Sequence, residues 1–430
     1  MLHIGLSIAV TWLTGDAWRR ADSGVEEIFS SAFYVDLAKR AEAAKLDFLF
    51  RPDTLFLDPE AARRSPGFSS LDPSVLLAAI AGETDFIGLV STASTTFYPP
   101  YVVARQLQSL NWLSKGRAGW NIVTSLDGAA NFGLDRMPSS EERYRRAAEF
   151  TEVVRALWCS YPGDAVTIDR ASGLYADPAR VAPIDHDGAA FRVRGPLNVP
   201  AFGSDAIPLF QAGASPAGRD FAASVADAIF AAAPDRDAGA ELRSDLRRRM
   251  AGHGRDPDAL LVLPGLSLYL APTRREAEEL FAETHARQDA ARIFKAIEAM
   301  IGLDLSDAPL DHRLTGASLP EPDPAVRSRT HADLLRRYIA REEPTVGELL
   351  KRPEVVGSAH WRVVGTVDDA LRDIAAWADA GAADGFIALP GGSRQSLDLL
   401  LEELVPRLAE SGRFRRDYGG ATLAAHLRER

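Results

Sequence analysis

The residues able to do chemistry in this chain stand inside or just after apolar runs. The stretch GRAGWNIVTS, residues 116–125, has the apolar content of a strand in Ala118, Trp120, Ile122 and Val123. It also carries a carboxamide at Asn121 and hydroxyls at Thr124 and Ser125, while Gly116 and Gly119 leave the backbone bare. A strand that only filled a core has no use for an amide, because burying one without a partner costs free energy. A second stretch, QAGASPAG (211–218), joins a strand to a helix. Gly213 frees the backbone and Ser215 stands where the helix starts. Bare amides at a helix N-terminus suit an anion such as phosphate. The competing reading is a plain N-cap turn, which the stretch alone favours. It lacks the lysine of a P-loop, and its second glycine comes one residue too late for a G-x-S-x-G elbow.

Other clusters are weaker. PIDHDG (183–188) sets Asp185, His186 and Asp187 in a row, but three consecutive residues do not converge on one ion unaided, so a turn is expected. The eight histidines include no H-E-x-x-H pair, and no catalytic metal is expected. Arg143 and Tyr144 lie near the start of a helix, where Tyr144 is placed to reach a phosphate or simply to cover a surface. HADLLRRYIAREE (331–343) reads as a solvated helix face. No G-x-G-x-x-G follows any strand.

The elements that must position these residues alternate. Strands are expected at 3–10, 46–50, 86–94, within RAGWNIVTS, IPLFQAG and DAIFAAA, in LLVLPGLSLYL and in DGFIALP. Helical spacing follows each, including 30–45 and a long helix over 139–158 that opens with serine and acidic residues. Two excursions interrupt the series. Residues 160–206 are rich in Gly, Pro and Asp, and residues 274–360 are mostly helical and charged. Eight apolar strands, each followed by a helix, favour a (β/α)8 barrel, an α/β fold, over an open sheet. In such a barrel the site lies at the C-terminal strand ends. That groups Asp53, Thr54, Thr92, Ser94, Asn121, Thr124, Ser125, Gly213 and Ser215.

Composition bounds the function. The 430 residues are 46% hydrophobic and 25% charged, as in a globular protein. They are read as one barrel domain, 1–430, with two insertions. A net charge of −11 argues against nucleic acid or an anionic membrane as partner. The single cysteine, Cys159, excludes an internal disulfide. MLHIGLSIAVTW has no basic residue ahead of its apolar run and reads as a first strand, not a signal peptide; a cytoplasmic location is the expectation.

GRAGWNIVTS resembles the bacterial luciferase-like flavin monooxygenases, in the branch of the nitrilotriacetate and dibenzothiophene-sulfone monooxygenases. DFLFRPDTLF, STASTTFYPPYVVARQLQSLNWLSKGRAGWNIVTS, ERYRRAAEFTEVVRALW, QAGASPAGRDFAA, VGTVDDALRDIAAWADAGAADGFIALP and FRRDYGGATLAAHL follow in that branch's order, over nearly the whole chain. The resemblance implies a TIM-like barrel that uses reduced FMN, supplied by a separate NAD(P)H:flavin reductase, and O2 to oxygenate a small organic substrate. It implies that Asn121 bonds the isoalloxazine edge, that Asp53 sits near the ring, and that Thr92 and Ser94 line the strand-three side. Tyr144, Ser215 and the backbone of Ala214 would hold the phosphate, and the two insertions would roof the flavin. A homodimer or homotetramer is what it suggests. Four positions depart from the family: Ser140 replaces a common histidine, Ala214 a second serine, and Arg51–Pro52 a small apolar pair. Arg51 is read as favouring an anionic substrate or as pairing with a neighbouring acid. His360 is a candidate near the substrate, with a structural role as the stronger reading. The alternatives kept are a deazaflavin-dependent oxidoreductase on the same barrel and a non-catalytic flavin-binding protein.

Overall fold

The structure, a computed structural model, describes residues 1–9, 13, 15–67, 69–213, 215–287, 290–323, 326 and 328–429. Its strands are β1 His3–Ser7, β2 Phe48–Arg51, β3 Gly88–Ser94, β4 Ala118–Val123, β5 Leu209–Gln211, β6 Ala228–Ala231, β7 Leu261–Leu270, β8 Trp361–Gly365 and β9 Gly385–Pro390. All pair in parallel. β1 to β6 follow in order, the lower half of β7 pairs with β6, and β9 closes the ring between β7 and β1. The expected eight-stranded barrel forms, with one addition. β8 pairs along the upper half of β7, from Leu266↔Trp361 to Leu270↔Gly365. The second insertion was expected to run to residue 360 straight into a helix. The strand WRVVG between them is short and its pattern is interrupted by Arg362, which hid it.

Helices pack outside: α1 Ser31–Ala43, α2 Pro73–Ala81, α3 Pro100–Leu113, α4 Ser140–Cys159, α5 Pro216–Val225 and α6 Arg236–Gly252, then α7 Arg274–Thr284, α8 Ala290–Ile301, α9 Arg329–Glu342 and α10 Val367–Asp379. α4 starts with the capping box that its sequence announces, Ser139 with Glu142. The last long helix runs Arg394–Leu399, widens into a π turn at Leu400–Leu404 and continues as Val405–Glu410. Pro406 stands just past that turn; a proline inside a regular α-helix would remove one hydrogen bond and clash with the preceding turn. The first insertion forms two small hairpins, Val166–Asp169 with Leu174–Ala176 and His186–Asp187 with Arg192–Val193. His186 Nε2 lies 3.0 Å from a Glu149 carboxylate oxygen, tying the hairpin to α4. The second insertion has its own core, in which Leu335 and Ile339 of α9 pack against Ile297 and Ile301 of α8. So α9 packs one face and carries Asp333, Arg337, Arg341 and Glu342 on the other, which is the expected solvated face.

The strand period of two sorts side chains between the barrel interior and the helix layer. Phe48, Phe50, Val90, Phe210, Leu263 and Ile387 point inward. Ile4, Leu6, Leu49, Leu89, Trp120 and Ile122 point outward against helices. The N-terminal end is plugged by the C-terminal helix, Leu423–Arg428. Leu423 is fully buried among the interior residues. A Cβ at Gly88 or Gly119 would stand 2.5 Å or 2.7 Å from its methyl carbons, so both glycines are cut to fit the plug. Burying one such leucine contributes roughly 1.5–3 kcal/mol.

Buried charge is concentrated at that lower end. Asp47 accepts from the Ile4 backbone N–H at 2.7 Å, lies 3.0 Å from His3 Nδ1, and bonds Arg415. Burial raises its carboxyl, but His3, Arg415 and the Ile4 amide outweigh that and hold it below the ordinary carboxylate value. Arg117 is buried with its donors spent on Ser114 O, Ile87 O, Ala81 O, Thr84 O and Thr84 Oγ1, at 2.7–3.0 Å. Ala81 ends α2 and Ser114 follows the end of α3, so the guanidinium meets the negative ends of two helices.

Candidate functional site

At the opposite end the same period places polar groups inside. β3 and β4 pair with Thr92↔Asn121 and Ser94↔Val123 in register. Val90 and Gly119 face the interior, so Thr92, Ser94 and Asn121 do as well. Asn121 is buried, and its Nδ2 donates to Thr92 Oγ1 at 2.8 Å. Its Oδ1 is also buried and accepts from no described residue. Buried carboxamide oxygens are nearly always satisfied, so this one is an acceptor reserved for something that enters the barrel. Ser94 Oγ lies 2.7 Å from Ser125 Oγ and accepts from the Thr96 N–H at 3.2 Å, which holds the end of β3 against the end of β4. Ser125 itself has a positive φ of 35°, and its carbonyl receives the guanidinium of Arg143.

The strand-five side holds the second group. Ser215 caps α5, its Oγ accepting from Gly218 N at 3.2 Å, so the capping reading is realised. Gln211 Oε1 accepts from Gly213 N at 2.7 Å. Tyr144, on α4, lays its hydroxyl over this turn. A Cβ on Gly213 would stand 2.3 Å from Tyr144 Oη, and one on Gly218 2.6 Å. The tyrosine therefore belongs to the turn and not to a bare surface, and its OH and the Ser215 O–H stay available as donors at a helix N-terminus. Ala214 lies outside the described residues.

Asp53 follows β2. Burial first, and Asp72 next, raise its carboxyl to about 6, against the Thr54 amide and Arg51. Tyr98 answers to the same two acids: burial, then Asp53 and Asp72, push its hydroxyl up to about 12. Arg51 fits neither expectation. It points out of the barrel, buried over the Tyr34 ring at 5.4 Å, and donates to Ile8 O at 2.5 Å and Leu71 O at 3.4 Å. Its parity on β2, shared with Leu49, decides this.

His360 stands just before β8 and stacks on Phe230, ring centroids 5.0 Å apart. A Cβ on Gly265 would stand 2.5 Å from its Nδ1, so that glycine makes room for the imidazole. Nδ1 is buried and has no partner among the described residues. Burial, and then His331, hold the pKa down at about 3, so the ring is neutral at physiological pH. Gly265, in the middle of an otherwise apolar strand, was the one signal in the sequence for this approach. Gln211, Tyr98 and Asp72 carried no motif and were missed.

The structure thus brings Thr92, Ser94 and Asn121 together inside the barrel, and Tyr144 with Ser215 beside β5. The donor set suits a phosphorylated flavin: an unanswered acceptor for a ring N–H, and a glycine-cleared turn with two hydroxyls.

Comparison with known proteins agrees. Residues 12–384 match the model of the luciferase-like monooxygenase family. The chain is 34% identical to N-acetyl-S-(2-succino)cysteine monooxygenase of Bacillus subtilis (strain 168), covering 99% of this chain and 96% of that one. It is 33% identical to nitrilotriacetate monooxygenase component A of Aminobacter aminovorans, covering 99% and 96%. A riboflavin lyase structure with modified FMN and riboflavin superposes with a TM-score of 0.82 at 30% identity, covering 99% and 95%. Among the described residues no helix is long and apolar enough to cross a membrane. A closed parallel barrel with an unanswered amide in its mouth, matched over this length, places the chain in the luciferase-like monooxygenase family, whose members are flavin-dependent enzymes.

Proposed function

We propose that the protein is the oxygenase component of a two-component system. It takes reduced FMN from a separate NAD(P)H:flavin reductase and, with O2, oxygenates a small organic substrate. The observation that carries this reading is the buried, unanswered Oδ1 of Asn121 on the inner face of β4. That oxygen receives an N–H of the ring edge, while Thr92 fixes the amide by taking its N–H. Ser94 lines the same wall. Tyr144 and Ser215 donate to the phosphate, with the backbone of Ala214 as a third element of the cradle. Bound reduced flavin supplies the electrons that activate O2. Asp53, with its raised pKa, holds or releases a proton beside the ring near neutral pH. The two insertions cover the substrate side, the chain acts as one domain in the cytoplasm, and two or four copies assemble.

The test is a titration of the purified protein with FMN, oxidised and then photoreduced under argon. Tighter binding of the reduced form, followed by oxygen uptake on admission of air with a reductase present, is the expected result. No binding in either redox state overturns the reading; binding of a deazaflavin in its place would move the protein to hydride transfer.

A further inference from the structure

The upper half of β7 and the added strand β8 hold a pair of groups to which the proposed flavin site gives no part. Ser267 lies opposite both Arg362 and Leu389, and Gly265 lies opposite Ile387, which is inside the barrel. Directly opposed residues of a sheet share a face. Arg362 is therefore on the inner face, while its neighbours Trp361 and Val363 pack outward against α10 and the core. His360, two residues earlier, is on that inner face too, seated on Phe230 and Gly265. A neutral imidazole and a guanidinium thus follow one another along one wall of the mouth, about 7 Å apart by strand repeat.

Arg362 is half-buried and poorly answered. It packs over the Phe281 ring at 4.7 Å, and its Nη2 donates to Lys351 O at 3.0 Å. Among the described residues no carboxylate lies within ion-pair distance of it. The nearby acid, Glu354, is buried and already held at both oxygens by Arg352, at 2.8 and 3.0 Å. Burial lowers the Arg362 pKa; Tyr269 opposes it, and Arg352 and Glu354 act with opposite signs. The other arginines near the mouth spend their donors differently. Arg143 bonds Thr124 O and Ser125 O, and Arg146 bonds Thr95 O. A partly desolvated guanidinium without a counter-charge is costly unless an anion arrives.

We infer that Arg362, assisted by the imidazole of His360, receives a carboxylate of the substrate, so that this enzyme acts on a small carboxylate-bearing compound. The inference rests on the proposed oxygenase reading for the words "substrate" and "acts", but its test does not. The protein is titrated calorimetrically with a panel of small mono-, di- and tricarboxylic acids, each against its methyl ester, with FMN bound and without. At least one acid should bind, at least ~10-fold more tightly than its ester, since hydrogen bonds to charged groups are the stronger ones. Arg362→Gln should lose that preference, Arg362→Lys should keep part of it, and FMN affinity should be unchanged in both. Acids that bind no better than their esters in the wild-type protein overturn the inference without recourse to any variant. So does an unchanged acid preference in a folded Arg362→Gln protein. Failure of FMN to bind is read separately and overturns the flavin proposal alone.

Discussion

The two ends of the barrel treat polar groups in opposite ways. At the lower end Asp47 has three partners and Arg117 is answered by carbonyls and a hydroxyl, with Leu423 and its helix sealing them from water. At the mouth Asn121 Oδ1 and His360 Nδ1 are buried and unanswered, and Asp53 is held up near neutrality. The lower end is not perfect: Arg415 Nε and Nη1 lack well-aligned acceptors, although Glu429 lies 3.3 Å from Nε. Even so, Asp47, Arg117 and Arg415 all meet polar partners within the chain. The lower end therefore contributes stability, and the mouth stores unmet bonds for a ligand.

The largest test of this contrast is Asp47→Ala. Breaking the buried group leaves His3 and Arg415 without their acid and should cost about 3–5 kcal/mol in denaturant unfolding. FMN affinity of the molecules that remain folded should stay the same; a selective loss of flavin binding would erase the division between the ends. Next is Gly265→Ala. Its Cβ would press on His360 and Phe230, an overpacking that costs about 1–3 kcal/mol. Here carboxylate binding should fall more than FMN binding, and equal losses would merge two walls that are kept separate here.

Asn121→Ala should leave unfolding nearly unchanged, since it removes one bond to Thr92 and one unanswered oxygen. It should weaken reduced-FMN binding by about 0.5–1.5 kcal/mol, roughly 2- to 12-fold. Unaltered affinity would remove the residue from the site. A last effect is in pH. Asp53 has a folded pKa raised from 3.8 to about 6, so its protonated form favours the fold. The stability it contributes is complete below about pH 4 and is lost as pH rises toward 6. Asp47, held below its ordinary value, acts with the reverse sign: its contribution is present above that range and lost on acidification. Asp53→Asn should flatten the wild-type decline between about pH 4 and 6, and should remove a limb near pH 6 from the kcat/KM profile. Identical pH slopes in the two proteins would break the contrast of sign.

Legibility followed period and length. The eight barrel strands were readable because parallel strands buried on both faces are continuous apolar runs, and the helix after β4 because its capping box is local. β8 was not, since an edge addition of five residues with an inward arginine has no run to show. Within the site, Thr92, Ser94 and Asn121 were legible as polar residues in a strand that has no other use for them. Tyr144 and Ser215 were legible as phosphate candidates beside blander readings, a surface tyrosine and a plain helix cap, and only the resemblance chose between them. Arg51 was misplaced by proximity in sequence to Asp53: Arg51 is the last residue of β2 and keeps the outward parity of Leu49, whereas Asp53 lies past the strand end, where that alternation no longer holds.

The sequence by itself determined the fold class, the inward polar residues of β3 and β4 and the membership of a flavin-dependent family, because each is written in local periodicity or in long ordered motifs. Only the tertiary structure decided which polar groups are answered. Whether Asn121 Oδ1, His360 Nδ1 or Arg362 finds a partner depends on residues far along the chain, such as Thr92, Gly265 and Glu354. Hydrogen bonds and ion pairs are settled by angstroms of approach that no spacing in sequence encodes.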